Sequence, residues 1–153
     1  NKVEEALLSA DLIILGPGDL YTSVLANCVV SGFKEALASS HGKVLYISNL
    51  MTKRGQTTGM SLGAHVGELV RYIGRMPDAV LANKNPLPNN LLERYAHEAE
   101  YPVVLDHETL ECPVVLEDFL ATEEVVRSKG DVLKRSLIRH DPDKLAEAIM
   151  NLL

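Results

Sequence analysis

Short runs of consecutive apolar residues recur along the chain, and segments with helical spacing of apolar residues separate them. Runs that are apolar at every position are typical of strands buried on both faces of a parallel sheet. The predicted strands are residues 12–15, 44–47, 79–82, 103–105 and 114–116. Alternation of strands and helices predicts a Rossmann-like three-layer α/β/α fold, doubly wound around a mostly parallel sheet.

Apolar stripes with helical spacing predict helices between these strands, over residues 24–37, 62–73 and 91–99. Gly32 would divide the first of them into two. The last predicted helix has an explicit start, because Asp141 can cap it, Pro142 suits its first turn and Asp143 complements its dipole. Residues 128–131 are predicted to form an exposed turn.

The length and composition predict a single domain over residues 1–153, because 46% hydrophobic residues suffice for one core. The formal net charge of -6 disfavours nucleic acid and anionic membranes as partners.

Cys28 and Cys112 match no metal-ligand spacing and are expected to be free, buried thiols. We find neither a signal peptide nor an apolar run long enough to span a bilayer, so a cytoplasmic location is expected. Homo-oligomerisation stays open.

A polar loop follows the first predicted strand, and it reads Gly16-Pro-Gly-Asp-Leu-Tyr-Thr-Ser23. Ligands of open α/β sheets bind outside the carboxyl ends of the strands, so this loop is a candidate anion site. Its glycines permit conformations and a close approach that a Cβ atom would resist. The candidate ligand residues of this loop are Gly16, Gly18, Asp19, Tyr21, Thr22 and Ser23.

Three of these side chains have alternative interpretations. Thr22 and Ser23 are expected where a helix N-terminus presents free N–H groups, although they could equally serve only as a cap. Asp19 opposes a phosphate unless it binds a metal, a ribose hydroxyl or a donor on a base, and a turn-forming Asp is the commoner case.

Further polar candidates follow the second predicted strand and precede the last helix. Asn49, Thr52 and the cations Lys53 and Arg54 lie in the second loop, where the cations either offset ligand charge or are solvated surface residues. Arg139 could clamp a phosphate with two hydrogen bonds or pair with a nearby Asp. No nucleophile or metal-ligand signature is present, so the catalytic residues stay unknown and no metal ligands are predicted.

Several of these motifs together resemble the CofD-like, or phospholactate transferase-like, superfamily. They are Gly-Pro-Gly-Asp-Leu-Tyr-Thr-Ser-Val at 16–24, Asn-Leu-Met-Thr at 49–52, the loop at 55–59 and Arg-His-Asp at 139–141. The more similar branch is the gluconeogenesis factor, or YvcK-like, branch. The chain resembles the C-terminal half of a family member, and the other half would supply the glycine-rich phosphate loop.

The resemblance implies two alternative functions. The gluconeogenesis-factor branch implies a protein that binds UDP-sugars, chiefly UDP-N-acetylglucosamine, with a role in cell shape and wall synthesis during gluconeogenic growth. The transferase branch implies transfer of phospholactate to a deazaflavin coenzyme precursor, with Mg²⁺ as cofactor. By motif, the residues implied to line the ligand cleft are Gly18, Asp19, Tyr21, Thr22, Asn49, Met51, Thr52, Tyr95 and Arg139.

The chain departs from the family pattern where carboxylates are usual. Gln56 and Thr58 replace acidic residues of the second loop, and Ala64 precedes His65 where an Asp-His pair is usual. Fewer carboxylates disfavour a magnesium-dependent transferase. We therefore favour a regulatory protein that binds a nucleotide sugar or another phosphorylated small molecule over an enzyme, and the CofD-like transferase stays open as the alternative.

Overall fold

The structure is a computed structural model that describes residues 2–122 and 136–153. The predicted turn at 128–131 lies outside the described residues. The described helices include none that is both long and apolar enough to cross a membrane.

Four parallel strands form the sheet, in the spatial order β1-β2-β3-β4. Their bounds are Leu12–Leu15 for β1, Lys43–Ile47 for β2, Ala79–Asn83 for β3 and Val114–Glu117 for β4. Four of the five predicted strands are thereby confirmed. The spatial order of the strands follows their order in the chain. The described strands therefore do not show the reversal of strand order that marks a doubly wound sheet.

The described residues form six α-helices: α1 (Lys2–Ser9), α2 (Leu25–Cys28), α3 (Phe33–Ser39), α4 (Leu62–Ile73), α5 (Asn89–Ala96) and α6 (Pro142–Met150). A π-helical turn, Leu20–Val24, leads into α2, and a short 3₁₀ helix covers His107–Thr109. Gly32 adopts φ +85° between α2 and α3, which confirms that it divides the predicted helix.

The hydrophobic core has two parts, one on each face of the sheet. Alternate strand residues such as Val44 and Tyr46 pack with the helices α2 to α4. Their neighbours Leu45 and Ile47 face the other way and pack with Leu145 and Ala148 of α6, and with Phe119. Both cysteines are free and buried, as predicted. Coverage of both faces confirms the three-layer α/β/α prediction.

The predicted strand at 103–105 is wrong. Pro102 forms only an isolated antiparallel bridge with Met51, and the next residues bond to the second loop and to the start of α4 instead of joining the sheet. The N–H of Val103 donates to the Leu50 carbonyl at 3.1 Å, and the Val104 carbonyl accepts from the N–H of Leu62 at 2.8 Å. Val103 is buried between the second loop and α4, whereas Val104 is 66% exposed. An apolar pattern of three residues does not distinguish such a segment from a strand.

The predicted start of the last helix is confirmed. The carboxylate of Asp141 accepts hydrogen bonds from the N–H groups of Asp143 and Lys144, at 3.0 and 3.2 Å. We expect Asp141→Ala to lower the free energy of unfolding by about 1 kcal/mol, because both N–H groups lose this acceptor. Urea denaturation measures the change. Asp143→Ala removes an equal charge without the cap and should cost less; an equal loss would contradict the capping role.

Candidate functional site

A cleft of about 340 Å³ lies at the carboxyl ends of β1 and β2. Its walls come from the loops after these strands, from the end of α5 and the turn after it, and from the segment that precedes α6. The residues that line it are Pro17, Gly18, Asp19, Asn49, Leu50, Met51, Thr52, Lys53, Tyr95, Glu100, Ser136, Ile138, Arg139 and His140. It is therefore placed where open α/β sheets bind ligands.

A direct hydrogen bond joins the loops after β1 and β2, and a second one orients its donor. The amide nitrogen of Asn49 donates to the Gly18 carbonyl at 2.8 Å, and the Tyr46 hydroxyl donates to the Asn49 side-chain oxygen at 3.3 Å. At Gly16, φ is +90° and an added Cβ would lie 2.8 Å from the Ile47 carbonyl oxygen. Only glycine fits this approach, so Gly16 and Asn49 shape the cleft.

The second loop is joined to the turn after α5 through Thr52. This buried residue donates its N–H to the Tyr101 carbonyl at 2.7 Å, and its hydroxyl accepts the N–H of Tyr101 at 3.0 Å. The N–H of Lys53 donates to the Thr57 hydroxyl at 2.8 Å, which orders the following turn. Thr52 therefore uses its polar groups within the protein and presents the neighbouring Lys53 to the cleft.

Charged side chains of both signs face the cleft. Lys53 forms an ion pair with Glu100 at 2.9 Å between Nζ and Oε1. The hydrogen bond to Glu100 raises the pKa of Lys53 above its ordinary value, which burial only partly offsets. Asp19 and Arg139 also line the cleft. The cleft thus combines two cations with two carboxylates, an arrangement suited to a ligand that has both phosphate and hydroxyl groups.

Tyr95 holds the segment that carries Arg139. Its hydroxyl oxygen accepts the N–H groups of Leu137 and Ile138 at 2.9 and 3.3 Å. Arg139 donates from Nε to the Ser136 carbonyl at 2.8 Å. These bonds place the guanidinium at the cleft, where its terminal nitrogens can donate to a phosphate.

His140 contributes a neutral imidazole to the same wall. Burial lowers the pKa of His140 to about 4, although a hydrogen bond to the Ser48 carbonyl acts in the opposite direction. Its Nε2 is buried and has no partner among the described residues.

The cleft brings together most of the predicted ligand residues, namely Gly18, Asp19, Asn49, Met51, Thr52, Tyr95 and Arg139. The remaining four do not line it. Gly16 and Ser23 border a separate depression beside Cys28 and Phe33. Thr22 is exposed, and Tyr21 lies beside Glu68, where partial burial and this carboxylate raise its pKa. Ligand contact by any of the predicted residues stays a prediction.

The expected free N–H at the start of the helix is corrected for Ser23. The π-helical turn begins at Leu20, so the N–H groups of Ser23 and Val24 donate to the Asp19 carbonyl at 2.9 and 3.1 Å. The helical structure starts earlier than the pattern indicated, and the Ser23 N–H is not available for an anion.

Several lining residues were missed by the sequence reasoning, chiefly Glu100 and His140. Lys53 was considered only as a surface or charge-offsetting cation. Glu100 lies in the turn after α5 and forms an ion pair with Lys53. His140 lies in the segment before α6 and forms a hydrogen bond with the Ser48 backbone. Partners so distant in sequence leave no local spacing signal.

We expect Tyr95→Phe to loosen the wall that carries Arg139. Two backbone N–H groups lose their acceptor, so the free energy of unfolding should fall by about 1–2 kcal/mol. Amide hydrogen exchange should show faster exchange at Leu137 and Ile138. Tyr101→Phe, which alters an exposed tyrosine outside the cleft, is the control. Unchanged exchange at both amides in the Tyr95 variant would contradict the role.

Comparison with known proteins identifies the family. The family model described as 2-phospho-L-lactate transferase CofD matches residues 1–120. This chain belongs to the CofD family. A gluconeogenesis-factor relative from Thermotoga maritima is 42% identical over 148 residues, which are 97% of this chain and 46% of that protein. The gluconeogenesis factor of Bacillus subtilis is 34% identical over 150 residues, or 97% of this chain and 45% of that protein.

A solved structure agrees with this assignment to the CofD family. The crystal structure of a UPF0052 family member from Bacillus halodurans superposes with a TM-score of 0.85 at 30% identity. The match covers 98% of this chain and 46% of that one. The chain thus spans about half the length of the proteins it matches. Within its described residues, no three His, Cys, Asp or Glu side chains group closely enough to hold a metal ion.

Proposed function

We propose that the full-length protein binds a nucleotide sugar of the UDP-N-acetylglucosamine type and acts in the cytoplasm as a regulatory protein. In this role it would link cell shape and cell-wall synthesis to growth on gluconeogenic carbon sources. The similarity to proteins named gluconeogenesis factor supports the choice of branch.

The observation that carries the proposal is the mixed-charge cleft at the carboxyl edge of the sheet. Arg139 and Lys53 supply donors for a diphosphate, while Asp19 and Glu100 supply acceptors for sugar hydroxyls. The protein's overall negative charge would repel an anion, so local donors must provide the attraction.

Isothermal titration calorimetry of the full-length protein with UDP-N-acetylglucosamine tests the proposal. We expect saturable heat for this ligand and none for N-acetylglucosamine alone, which lacks the phosphates. Absence of binding at millimolar nucleotide sugar would overturn it.

The alternative is a CofD-like phospholactate transferase that acts on a deazaflavin coenzyme precursor. The family model favours it, because it is described by that activity. Mg²⁺ binds through one or two carboxylates together with substrate phosphates, and Asp19 is a carboxylate in the cleft that could serve. Incubation with the precursor, an activated phospholactate and Mg²⁺, followed by mass spectrometry, distinguishes the two functions. A product with the added mass would establish the transferase.

A further inference from the structure

The ion pair between Lys53 and Glu100 is placed inside the candidate cleft, and its partners differ in exposure. The Glu100 side chain is 8% exposed, whereas that of Lys53 is 40% exposed. A carboxylate so far removed from water needs a partner, and Lys53 provides it at 2.9 Å. Both side chains line the cleft, and the lysine is the more exposed of the two.

The backbone delivers Glu100 to this position. Ala99, three residues after the end of α5, adopts φ +57°, a left-handed conformation that is uncommon for alanine. The chain then turns back, and the N–H of Glu100 donates to the Tyr95 carbonyl at 3.1 Å. The two hydrogen bonds between Thr52 and Tyr101 hold the turn against the second loop. The ion pair is therefore built into the fold rather than formed by two mobile surface side chains.

This arrangement has a consequence for the ligands that the cleft accepts. Glu100 balances the charge of Lys53, so a compact polyanion gains less from the lysine and meets a nearby carboxylate. A phosphate ester with free hydroxyls avoids this cost, because hydroxyl groups donate to carboxylates. The balance thus favours a phosphate joined to a sugar over a phosphate alone.

We propose that Glu100 is a specificity-determining residue that selects sugar-bearing phosphate esters over inorganic polyphosphates. It does so by restraining Lys53 and by accepting a hydroxyl group of the ligand. The inference rests on the proposed function of this cleft and names the chemical feature that the cleft recognises.

The test compares Glu100→Gln with the unmodified full-length protein, using UDP-N-acetylglucosamine and inorganic pyrophosphate as ligands. We expect the variant to bind the nucleotide sugar about tenfold more weakly and pyrophosphate about tenfold more tightly. Glu93→Gln is the matched control, because it removes the same charge from an exposed site on α5 outside the cleft. It should leave the ratio of the two affinities unchanged. Circular dichroism verifies that each variant is folded.

A second variant separates the specificity role from a general loss of structure. In a Lys53→Met background, Glu100→Gln should tighten pyrophosphate binding less than it does in the unmodified protein, because it removes the carboxylate repulsion but releases no lysine. An unchanged affinity ratio in folded Glu100→Gln would overturn the proposal.

Failure of the proposed function can be distinguished from failure of the specificity role of Glu100. If the unmodified protein does not bind UDP-N-acetylglucosamine, that function fails, and glucose 1-phosphate against pyrophosphate then tests Glu100 directly. The same opposite shifts would support the specificity role, and parallel shifts would overturn it. Absence of binding by any of these phosphate compounds would overturn both.

Discussion

Arg139→Ala is expected to weaken binding of UDP-N-acetylglucosamine by at least about tenfold, since charged hydrogen bonds contribute roughly 1.5–3 kcal/mol. The side chain is exposed and lines the cleft, and its Nε is held by the Ser136 carbonyl at 2.8 Å. Its loss removes a phosphate donor without opening the core, so the unfolding free energy should change by no more than about 0.5 kcal/mol. Calorimetric titration and urea denaturation measure the two quantities.

Arg54→Ala provides the matched control for Arg139. Arg54 is an exposed arginine next to Lys53 in the second loop, but it does not line the cleft. Its removal lowers the protein's charge equally and should change the affinity by less than about threefold, because exposed charges outside a site act weakly. Equal losses in the two variants would show a general electrostatic effect and contradict a phosphate clamp.

Leu15→Ala is expected to lower the free energy of unfolding by about 2–5 kcal/mol, the range for truncation of a core leucine. Leu15 is the last residue of β1, is 8% exposed and belongs to the cluster beneath α2 to α4. The substitution removes apolar contacts and leaves a cavity in the core. Chemical denaturation of the full-length protein measures the loss.

The adjacent Ile14 offers a control on the same strand. It faces the opposite side of β1 and is 43% exposed, so Ile14→Ala should cost about 1 kcal/mol or less. Similar costs for the two substitutions would indicate that β1 is buried differently from the structure described above. For variants that remain folded, ligand affinity per folded molecule should be close to that of the unmodified protein.

Local patterns in the sequence predicted the strands that are apolar throughout and the helices that have a regularly spaced apolar stripe. The strands β1 to β4 are short apolar runs, and α4 has an apolar stripe between the Ser61 cap and Gly74, which adopts φ +79°. The segment 103–105 has the same apolar character but forms no strand, because its hydrogen bonds go to Leu50 in the second loop and to Leu62 at the start of α4. Apolar composition therefore does not by itself indicate a strand, because strand pairing depends on which backbone lies alongside.

The residues predicted for the candidate site likewise fall into those that line the cleft and those that the structure places elsewhere. Gly18, Asp19, Asn49 and Thr52 were predicted because they directly follow strands whose carboxyl ends share one edge. Thr22 and Ser23 belong to the same motif but do not line the cleft, since the helical turn begins at Leu20 and turns them away. A one-turn shift at the start of a helix alters which side chains face a site, and sequence patterns do not locate helix ends that closely.

The sequence by itself determined the α/β class, most element positions and the edge of the sheet where ligands are expected, because these depend on residue spacing along a few turns of chain. Only the tertiary structure decided the chemistry of the cleft. The Lys53–Glu100 pair, the Tyr95 hydroxyl under the Arg139 segment and the neutral imidazole of His140 each join groups distant in sequence. Their distances and desolvation follow from how the layers pack, which no local pattern encodes.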